Sequence, residues 1–440
     1  NKWGYKRGDI PFIDYLCEDK SKYLKASEGI SYITNKPLYD LDNDFLIGNS
    51  GGILMNIDFI VINIERLSRS ADTFDEYGTY CDYDPTTPAY EAFWQRETSR
   101  RKKGVIIKAK LYYKDIPKFF DKNTTDDERD NLLKPMRITG AHYTYLNYGR
   151  IERTPNDKER AKLKKEGAEH VETVMGFPRY WDGDYWNFKI DEFIANNKFH
   201  LTKAKARRKG FSYKRGSQAA NTINLFPNVT VTLAADQLAY LTDKGATTFM
   251  AKKCLDHFEE HTFWKRGYIS EAIDDILMGY RVSTKGLKNF GWLSNLYSVA
   301  IGKNESAAVG KKAIEIDFEE AGKCPNLQKA LDVTLSNTES GAISVGTIRV
   351  YGTGGTKGAN WAAFSKAFYN PKMNKMLCME NIWDINKRHE VCGFFFPQVW
   401  DCEPYVERGN SIIFTAYAWD KQDKENHFHN NDSETHIIYK

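Results

Sequence analysis

The 440-residue chain is predicted to fold as an α/β protein with a mainly parallel sheet flanked by helices. Two observations predict this class. From about residue 198, apolar and β-branched segments typical of buried strands alternate with segments of helical periodicity. In addition, cations, acids and glycines directly follow three of these strands. Parallel sheets bind ligands outside the carboxyl ends of their strands, so these residues predict where a site lies.

Composition and length support a globular chain of two to three domains. The apolar share of 41% and aromatic share of 14% provide for a substantial core. The sequence contains no run of about 18 apolar residues, so no transmembrane helix is predicted. The seven cysteines form no CxxC pair, which fits a reducing cytoplasm. The chain starts at Asn1 with neither an initiator Met nor a signal-peptide pattern, so we expect a fragment or a processed chain.

The first third of the chain carries no recognisable chemistry. It contains strand-like pieces within 52–61 and a predicted helix from Pro88 to Arg101. Residues 155–170 are rich in Lys and Glu and predict an exposed helix or linker. We therefore expect an N-terminal extension of unclear role over residues 1–135.

A strand near His200–Ala204 leads into a strongly basic loop, and a helix is predicted to start near Ser212. Residues 198–215 contain eight cations and no acid: Lys198, Lys203, Lys205, Arg207, Arg208, Lys209, Lys214 and Arg215. Such a run can be a solvated or DNA-facing patch, or a polyphosphate pocket. The glycine and the hydroxyl inside it favour the pocket.

Residues 205–212 resemble the phosphate-binding loop G-x-x-x-x-G-K-[ST]. In that loop, backbone N–H groups cradle phosphates, Lys neutralises them and the hydroxyl holds Mg²⁺. Gly210 and Ser212 match the pattern, whereas Phe211 occupies the lysine position and Lys205 replaces the first glycine. The predicted ATP-binding residues of this loop are Lys205, Arg207, Arg208, Lys209, Gly210, Phe211 and Ser212.

Two acids follow a later strand. After a strand over Val229–Ala235 and helical periodicity to about Phe263, the strand Ala313–Phe318 ends in Glu319 and Glu320. Nucleotide hydrolysis needs a carboxylate for Mg²⁺ and a group that orients water. Glu319 is predicted to take the first role, together with Ser212, and Glu320 the second. In isolation the pair could equally be solvated. Asp317 competes for the metal role, although strand alternation points it away from Glu320.

A third motif follows the strand Thr347–Tyr351, where the sequence continues Gly352-Thr353-Gly354-Gly355-Thr356. Glycines allow close backbone approach, and a hydroxyl here can sense the γ-phosphate. A tight turn alone is the alternative. Three strand-end motifs in this order favour a nucleotide-hydrolysing site.

The order and the residues of these motifs resemble those of the large terminase subunit of tailed bacteriophages, the ATPase that drives DNA into procapsids. Some members of that family carry a deviant loop, K-x-x-R-x-G-[YF]-S, which Lys205, Arg208, Gly210, Phe211 and Ser212 match. The resemblance covers about residues 70–400. It extends to the Walker B segment 319–326, the coupling motif Thr353-Gly354-Gly355, the strand at 392–397, and the upstream segments 139–148 and 178–186.

The resemblance implies a P-loop NTPase of the additional-strand (RecA-like) type that uses ATP and Mg²⁺. Lys205 and Arg208 would act catalytically on the β- and γ-phosphates, beside Glu320. Tyr180 or Trp181 would pack on adenine, although core aromatics are the alternative. The implied partners are double-stranded DNA, a portal protein, a small terminase subunit and further copies in a ring on the procapsid. No membrane partner is implied, and the expected place is the host cytoplasm.

Two departures from the family pattern bear on the assignment. Glu319 stands where the family usually has Asp, and the arginine finger is unassigned, with Arg281 and Arg349 as candidates. Only 43 residues follow Pro397, fewer than the nuclease domain of the family needs. We therefore expect an ATPase domain over 136–400 and a lid or hinge remnant over 401–440. The alternative hypotheses are a helicase-like DNA translocase and a non-enzymatic DNA- or phosphate-binding virion protein.

Overall fold

A computed structural model of the chain describes most of residues 60–396 and a few short strands outside that range. The described ranges are 45–47, 53–55, 60–62, 64–112, 115–206, 209–284, 286–304, 306–309, 312–335, 338–340, 343–344, 346–353, 359–381, 390–396, 405–408, 411–415 and 434–439. No helix within these ranges is long and apolar enough to cross a membrane.

An eight-stranded sheet forms the centre of the fold. Its strands are β1 (Leu201–Lys205), β2 (Thr230–Ala235), β3 (Tyr268–Ala272), β4 (Asp275–Met278), β5 (Asn295–Ala300), β6 (Glu315–Phe318), β7 (Thr347–Thr353) and β8 (Phe394–Phe396). They lie in the order β3-β4-β5-β2-β6-β7-β1-β8. The six strands from β5 to β8 in this order are parallel, whereas β4 runs antiparallel to β5 and to β3. The predicted mainly parallel sheet is confirmed, and β7 is the additional strand between β1 and β6.

Helices cover the sheet. They include α1 (Pro88–Lys103), α2 (Gly140–Tyr148), α3 (Asp182–Asn197), α4 (Phe211–Leu225), α5 (Thr247–His261), α6 (Leu327–Leu335) and α7 (Ala359–Tyr369). Further helices span Ile64–Ser68, Ile116–Phe119, Asp126–Leu132, Asp157–Lys165 and Ala239–Thr242. The predicted helical stretch up to Phe263 is therefore two helices, because Asp243–Ala246 form a turn between them.

Local chemistry explains where two of these helices lie. Helix α1 begins at Pro88, where a missing N–H is harmless, and the Thr87 hydroxyl accepts the N–H of Tyr90. Helix α4 packs tightly on α5 at Gly216, since a Cβ there would lie 2.6 Å from the carbonyl oxygen of Thr247. A side chain at this position would push the two helices apart.

Smaller sheets surround the centre. One joins Phe45–Ile47, Ile53–Met55, Met379–Glu380 and Val391–Cys392, and another joins Ile60–Val61, Val105–Leu111 and Lys134–Ile138. A third joins Tyr405–Arg408, Ser411–Thr415 and Glu434–Tyr439. Two-stranded ribbons pair Phe74–Asp75 with Gly78–Thr79, Ile151–Arg153 with Val174–Gly176, Tyr280–Thr284 with Gly286–Phe290, and Glu339–Ser340 with Ile343–Ser344.

The apolar run from Cys392 to Phe396 differs from the single strand expected. Val391–Cys392 belongs to a small sheet and Phe394–Phe396 to the central one, with a break at Gly393. A Cβ at Gly393 would lie 2.5 Å from the carbonyl oxygen of Thr202. The close approach to β1 therefore requires glycine at the point where the chain changes sheets.

The described part of residues 1–135 shares its core with the rest of the chain. Arg101 of α1 is buried, with its guanidinium 3.9 Å from the ring centre of Trp264. It donates hydrogen bonds to Asn221 and Asn224 of α4, at 3.0 and 3.1 Å. The domain boundaries given above stay a prediction.

Candidate functional site

The carboxyl ends of β1, β7 and β6 lie side by side, and they bring the three predicted motifs to one edge of the sheet. Lys205 ends β1 in register with Thr353, the last residue of β7. The acid pair follows β6, which is aligned with β7 through Phe318 and Val350. Three segments separated by up to about 150 residues in sequence therefore share one site.

Ser212 and Glu319, the two predicted metal ligands, are in direct contact. The Ser212 hydroxyl at the start of α4 donates to Oε1 of Glu319 at 2.6 Å. Glu319 is buried, and its Oε2 accepts no hydrogen bond from any residue that the structure describes. An unpartnered buried carboxylate oxygen is costly unless a cation joins it. These residues fit a divalent cation, because Mg²⁺ takes one or two protein oxygens together with phosphate oxygens.

Burial raises the pKa of Glu319 to about 7, although Lys205 and the Ser212 hydrogen bond favour its charged form. The charges of Glu320 and Asp317 also contribute to the raised pKa. The Glu319 carboxyl group is therefore partly protonated near neutral pH, and a positive charge next to it would favour its ionised form.

Lys205 and Glu320, the predicted phosphate-binding cation and catalytic acid, form an ion pair. Nζ of Lys205 lies 3.2 Å from Oε1 of Glu320, and the lysine side chain is only 8% exposed. Glu320 adopts the left-handed conformation, with φ 49° and ψ 39°, which costs a non-glycine residue about 1–2 kcal/mol. Backbone strain of this kind persists only where the surroundings enforce it.

The end of β7 provides part of that enforcement. A Cβ at Gly352 would lie 2.7 Å from the nitrogen of Gly322 and 2.9 Å from that of Ala321. Gly352 thus lets β7 pack directly on the backbone that follows Glu320. The backbone N–H of Glu319 donates to the carbonyl of Ala234 at 2.8 Å, so the residue before Glu320 is held to β2.

The described part of the basic loop contains a glycine with positive φ and a buried aromatic residue that anchors the following helix. Gly210 has φ 62°, a conformation that favours glycine, immediately before α4. The Phe211 side chain is buried and packs edge-to-face on Phe396, with ring centres 4.9 Å apart. It therefore anchors α4 in the core, and only its backbone is available to a phosphate. The Lys209 carbonyl accepts a 2.8 Å hydrogen bond from Nζ of Lys214.

Several predicted site residues cannot be placed. Arg207, Arg208, Gly354 and Gly355 lie outside the described residues. Thr353 is half-buried at the end of β7. Its predicted coupling role stays a prediction.

The predicted adenine-packing aromatics lie at the start of α3. Tyr180 stacks on His142, with ring centres 5.4 Å apart, and its hydroxyl donates to Asp182 at 3.5 Å. His142 stacks in turn on Phe188 at 4.9 Å. Trp181 is half-buried directly before α3. The observed partners of Tyr180 are thus core residues, the alternative that the sequence left open.

A buried ion network lies beneath the site, and sequence reasoning missed it. It consists of three cations and three carboxylates: Lys203, Arg215, Arg349, Asp191, Glu315 and Asp317. The Arg215 side chain of α4 contacts both Glu315 and Asp317 of β6. Arg349 of β7 lies 3.2 Å from Asp191 and 3.1 Å from Glu315. The network ties β1, β6 and β7 to α3 and α4 with formally balanced charge.

Two sequence-based candidates are corrected by this network. Arg349 was a candidate arginine finger, but it is 1% exposed and paired with acids, so it cannot reach a nucleotide on another subunit. Asp317 was a candidate metal ligand, but it is fully buried against Arg215 and Arg349. Charged residues at alternate positions of the apolar strand β6 were the available signal. Arg281, the other finger candidate, is exposed on the ribbon Tyr280–Phe290.

The pKa values inside the network reflect its pairing. Burial alone would raise the pKa of Glu315, but Arg215 and Arg349 outweigh it and lower the value to about 2. Burial lowers the pKa of Lys203 to about 8, even though Asp191 lies 2.5 Å away.

Comparisons with known proteins find only distant structural similarities. No protein-family model matches the chain, and no curated protein matches it. Among solved structures, the large terminase ATPase domain of a Thermus phage is similar at a TM-score of 0.31 and 15% identity, over 49% of this chain and 75% of that one.

Two further similar structures hold ligands. The large terminase of a thermophilic bacteriophage, in complex with ADP, gives a TM-score of 0.25 and 12% identity over 36% of this chain and 34% of that one. The Sulfolobus solfataricus SWI2/SNF2 ATPase core in complex with dsDNA gives a TM-score of 0.26 and 11% identity, over 43% of this chain and 35% of that one. At these scores the similarities carry no argument about activity, which has to rest on the site itself.

Proposed function

We propose that the chain is an ATP-hydrolysing motor that acts on double-stranded DNA, of the kind found in phage large terminase subunits. One observation carries the proposal. At the carboxyl ends of adjacent strands, the Ser212–Glu319 contact leaves a buried carboxylate oxygen without a partner beside the Lys205–Glu320 ion pair. A magnesium-nucleotide supplies the cation that the first pair lacks and the anion that competes for Lys205.

Each residue of the site has a distinct part in the proposed reaction. Ser212 and Glu319 would hold Mg²⁺, which neutralises phosphate charge when bound. Lys205, with Arg208 from the loop, binds the β- and γ-phosphates, and Gly210 allows the backbone to approach them. When Lys205 turns to phosphate, Glu320 loses its partner and its carboxylate can accept a hydrogen bond from the attacking water. Lys205 thus governs both binding and the release of the catalytic acid.

The finer assignment is DNA packaging. In this proposal Thr353, Gly354 and Gly355 couple loss of the γ-phosphate to movement, and copies of the chain form a ring with a portal protein and a small terminase subunit. The packing of Gly352 on the backbone after Glu320 supports the coupling role, because β7 cannot shift without moving the catalytic acid.

A helicase-like translocase is the enzymatic alternative, and a protein that only grips phosphate is the non-enzymatic one. The site favours an enzyme, because phosphate binding alone does not require a buried carboxylate, Glu319, and a second acid beside it next to the loop. Translocation along intact duplexes, measured by displacement of a third strand, separates a packaging-type motor from a helicase, which separates the two strands.

The test of the chemistry is Glu320→Gln, with Glu169→Gln as a matched exposed control. We expect ATP hydrolysis to fall by roughly 10²–10⁴-fold while ATP binding persists, since the change removes only the water-orienting group. Unchanged turnover in Glu320→Gln would overturn the catalytic assignment. Absence of both ATP binding and hydrolysis in the parent chain would favour the non-enzymatic alternative.

A further inference from the structure

An arm projects from the edge of the sheet opposite the candidate site. It is the two-stranded ribbon formed by Tyr280–Thr284 and Gly286–Phe290. It follows β4 and precedes β5, at the point where Leu277 is paired with Asn295, the first residue of β5. Because β5 is parallel to β2, the ribbon starts at the amino ends of the parallel strands. The nucleotide motifs all lie at the carboxyl ends.

The ribbon is exposed on both faces. Leu287 is 73% exposed and Tyr280 56%, and every residue of Gly286–Phe290 is exposed. The register puts Tyr280, Lys288 and Phe290 on one face and Arg281 with Leu287 on the other. An isolated two-stranded ribbon is only marginally stable in water, and this one, with five residues in each strand, leaves apolar and basic side chains exposed. Contact with a partner would stabilise it.

Glycines at the base hold the ribbon in this position. Gly279 has φ 133°, and a Cβ there would lie 2.5 Å from the carbonyl oxygen of Phe290. Gly291 has φ 91°, and a Cβ there would lie 2.9 Å from the ring of Tyr280. The Tyr280 and Phe290 rings stack at 6.2 Å across this base. The arm therefore leaves the sheet through two positions that only glycine fits without strain.

The charge of the segment is entirely positive. No acid occurs between residues 276 and 304, whereas Arg281, Lys285 and Lys288 fall within the ribbon sequence. Arg281 and Lys288 make no ion pair with any described residue.

Further cations lie around the base of the ribbon. Arg266 covers Trp292 with its guanidinium 3.6 Å from the ring centre. Lys102, at the end of α1, lies 6.0 Å from the ring centre of Phe226, which is 45% exposed. The nearby acid Glu259 accepts the backbone N–H groups of Arg266 and Gly267, at 2.6 and 3.1 Å. The base and the arm thus form one basic surface.

We infer that this ribbon is a contact surface for duplex DNA. The ribbon inserts into a groove of the duplex, while Lys102 and Arg266 at its base contact the phosphates. A two-stranded ribbon fits the major groove, and cations on both of its faces match the two phosphate backbones that border a groove. Tyr280 and Phe290 stack on each other, so their rings are not available to stack on the unpaired bases of a single strand. This favours binding of duplex DNA over single-stranded DNA. The inference rests on the proposed action on DNA but not on ATP hydrolysis.

The test is binding of a labelled 30-base-pair duplex to the full chain, without nucleotide, measured by fluorescence anisotropy over a salt series. The variant is Arg281→Ala with Lys288→Ala, and the matched control is Lys162→Ala with Lys164→Ala on the exposed helix Asp157–Lys165. We expect the ribbon variant to bind about tenfold more weakly near 0.1 M salt, with a salt slope lower by about 2. The control should match the parent.

Three results would overturn the inference. One is equal loss of affinity in the two double variants, which would reduce the effect to net charge. Another is tighter binding of a single strand of the same length than of the duplex. The third is a change in oligomeric state of the ribbon variant with unchanged duplex affinity, which would make the ribbon a contact between copies of the chain. A parent chain that binds duplex but does not hydrolyse ATP would refute the proposed chemistry and leave the ribbon intact.

Discussion

Nζ of Lys205 lies 3.2 Å from Oε1 of Glu320, so the cation predicted to bind phosphate neutralises the acid predicted to orient water. Lys205 ends one strand and Glu320 follows another, with β7 between them. In the proposed mechanism, this pairing keeps both groups out of reaction until a phosphate competes for the lysine. ATP binding and activation of Glu320 are therefore expected to be one event.

The first prediction concerns Lys205. Its replacement by Ala removes the phosphate cation and leaves Glu320 without a partner, so we expect ATP to bind roughly 10- to 100-fold more weakly, as the loss of one charge-assisted contact implies. Titration with a fluorescent ATP analogue measures this. Wild-type affinity in Lys205→Ala would transfer the lysine role to Lys209 or Arg207, and the same titration of Lys209→Ala and of Arg207→Ala would show which of the two binds phosphate.

A second prediction follows from the raised pKa of Glu319, about 7 in the folded chain against an ordinary 4.5. The folded state holds a proton that the unfolded state has already released, so the stability from this group is complete below pH 4.5 and is lost as pH rises through 7. Glu319→Gln, which mimics the protonated acid, should match the parent at low pH and exceed it in stability at pH 8 without Mg²⁺. Urea unfolding in chelator measures the difference. A parent that is the more stable protein at pH 8 would contradict the buried, unpartnered carboxylate.

Gly352 gives a third prediction. A methyl group there would lie 2.7 Å from the Gly322 nitrogen, so Gly352→Ala must displace the backbone after Glu320. Lys205 and Ser212 are untouched. We expect ATP binding to persist while turnover falls by about tenfold or more, because small misplacements of catalytic groups are costly. Single-turnover hydrolysis separates the two; a parallel loss of binding would show that the whole site is disturbed instead.

The fourth prediction concerns the ion network. Arg349→Ala leaves Asp191, Glu315 and Asp317 short of a positive charge in the interior, and removing one partner from a buried pair costs about 3–5 kcal/mol. Chemical denaturation should show a loss of that size. Exposed Arg160→Ala, the control, should change the unfolding free energy by no more than about 0.5 kcal/mol. Equal effects in both variants would show that the network adds nothing to stability.

Sequence reasoning predicted the parts of the fold that depend on short-range pattern. The strands β1, β2, β6 and β7 and the start of α4 follow from runs of apolar residues bounded by loops. The meeting of Lys205, Ser212, Glu319 and Glu320 follows from the rule that parallel strands end at one edge.

The features that were missed depend on distant residues. The ion network needs Asp191, Arg215 and Arg349, which are far apart in sequence and carry no local signal. The burial of Phe211 depends on Phe396, and the break at Gly393 depends on the backbone of Thr202. Three-dimensional contact, not pattern, decides such positions.

The place of Lys205 within the fold has a consequence for how a motor of this kind could move. In the common loop the lysine travels with the loop and helix that follow the strand. Here it is the last residue of β1, in register with Thr353 of β7 on one side and Phe396 of β8 on the other. The backbone of the proposed phosphate-binding cation is therefore part of the sheet, and only its side chain has to turn from Glu320 to phosphate when a nucleotide binds. In the proposed motor, the attraction between the nucleotide and this cation would act directly on the sheet.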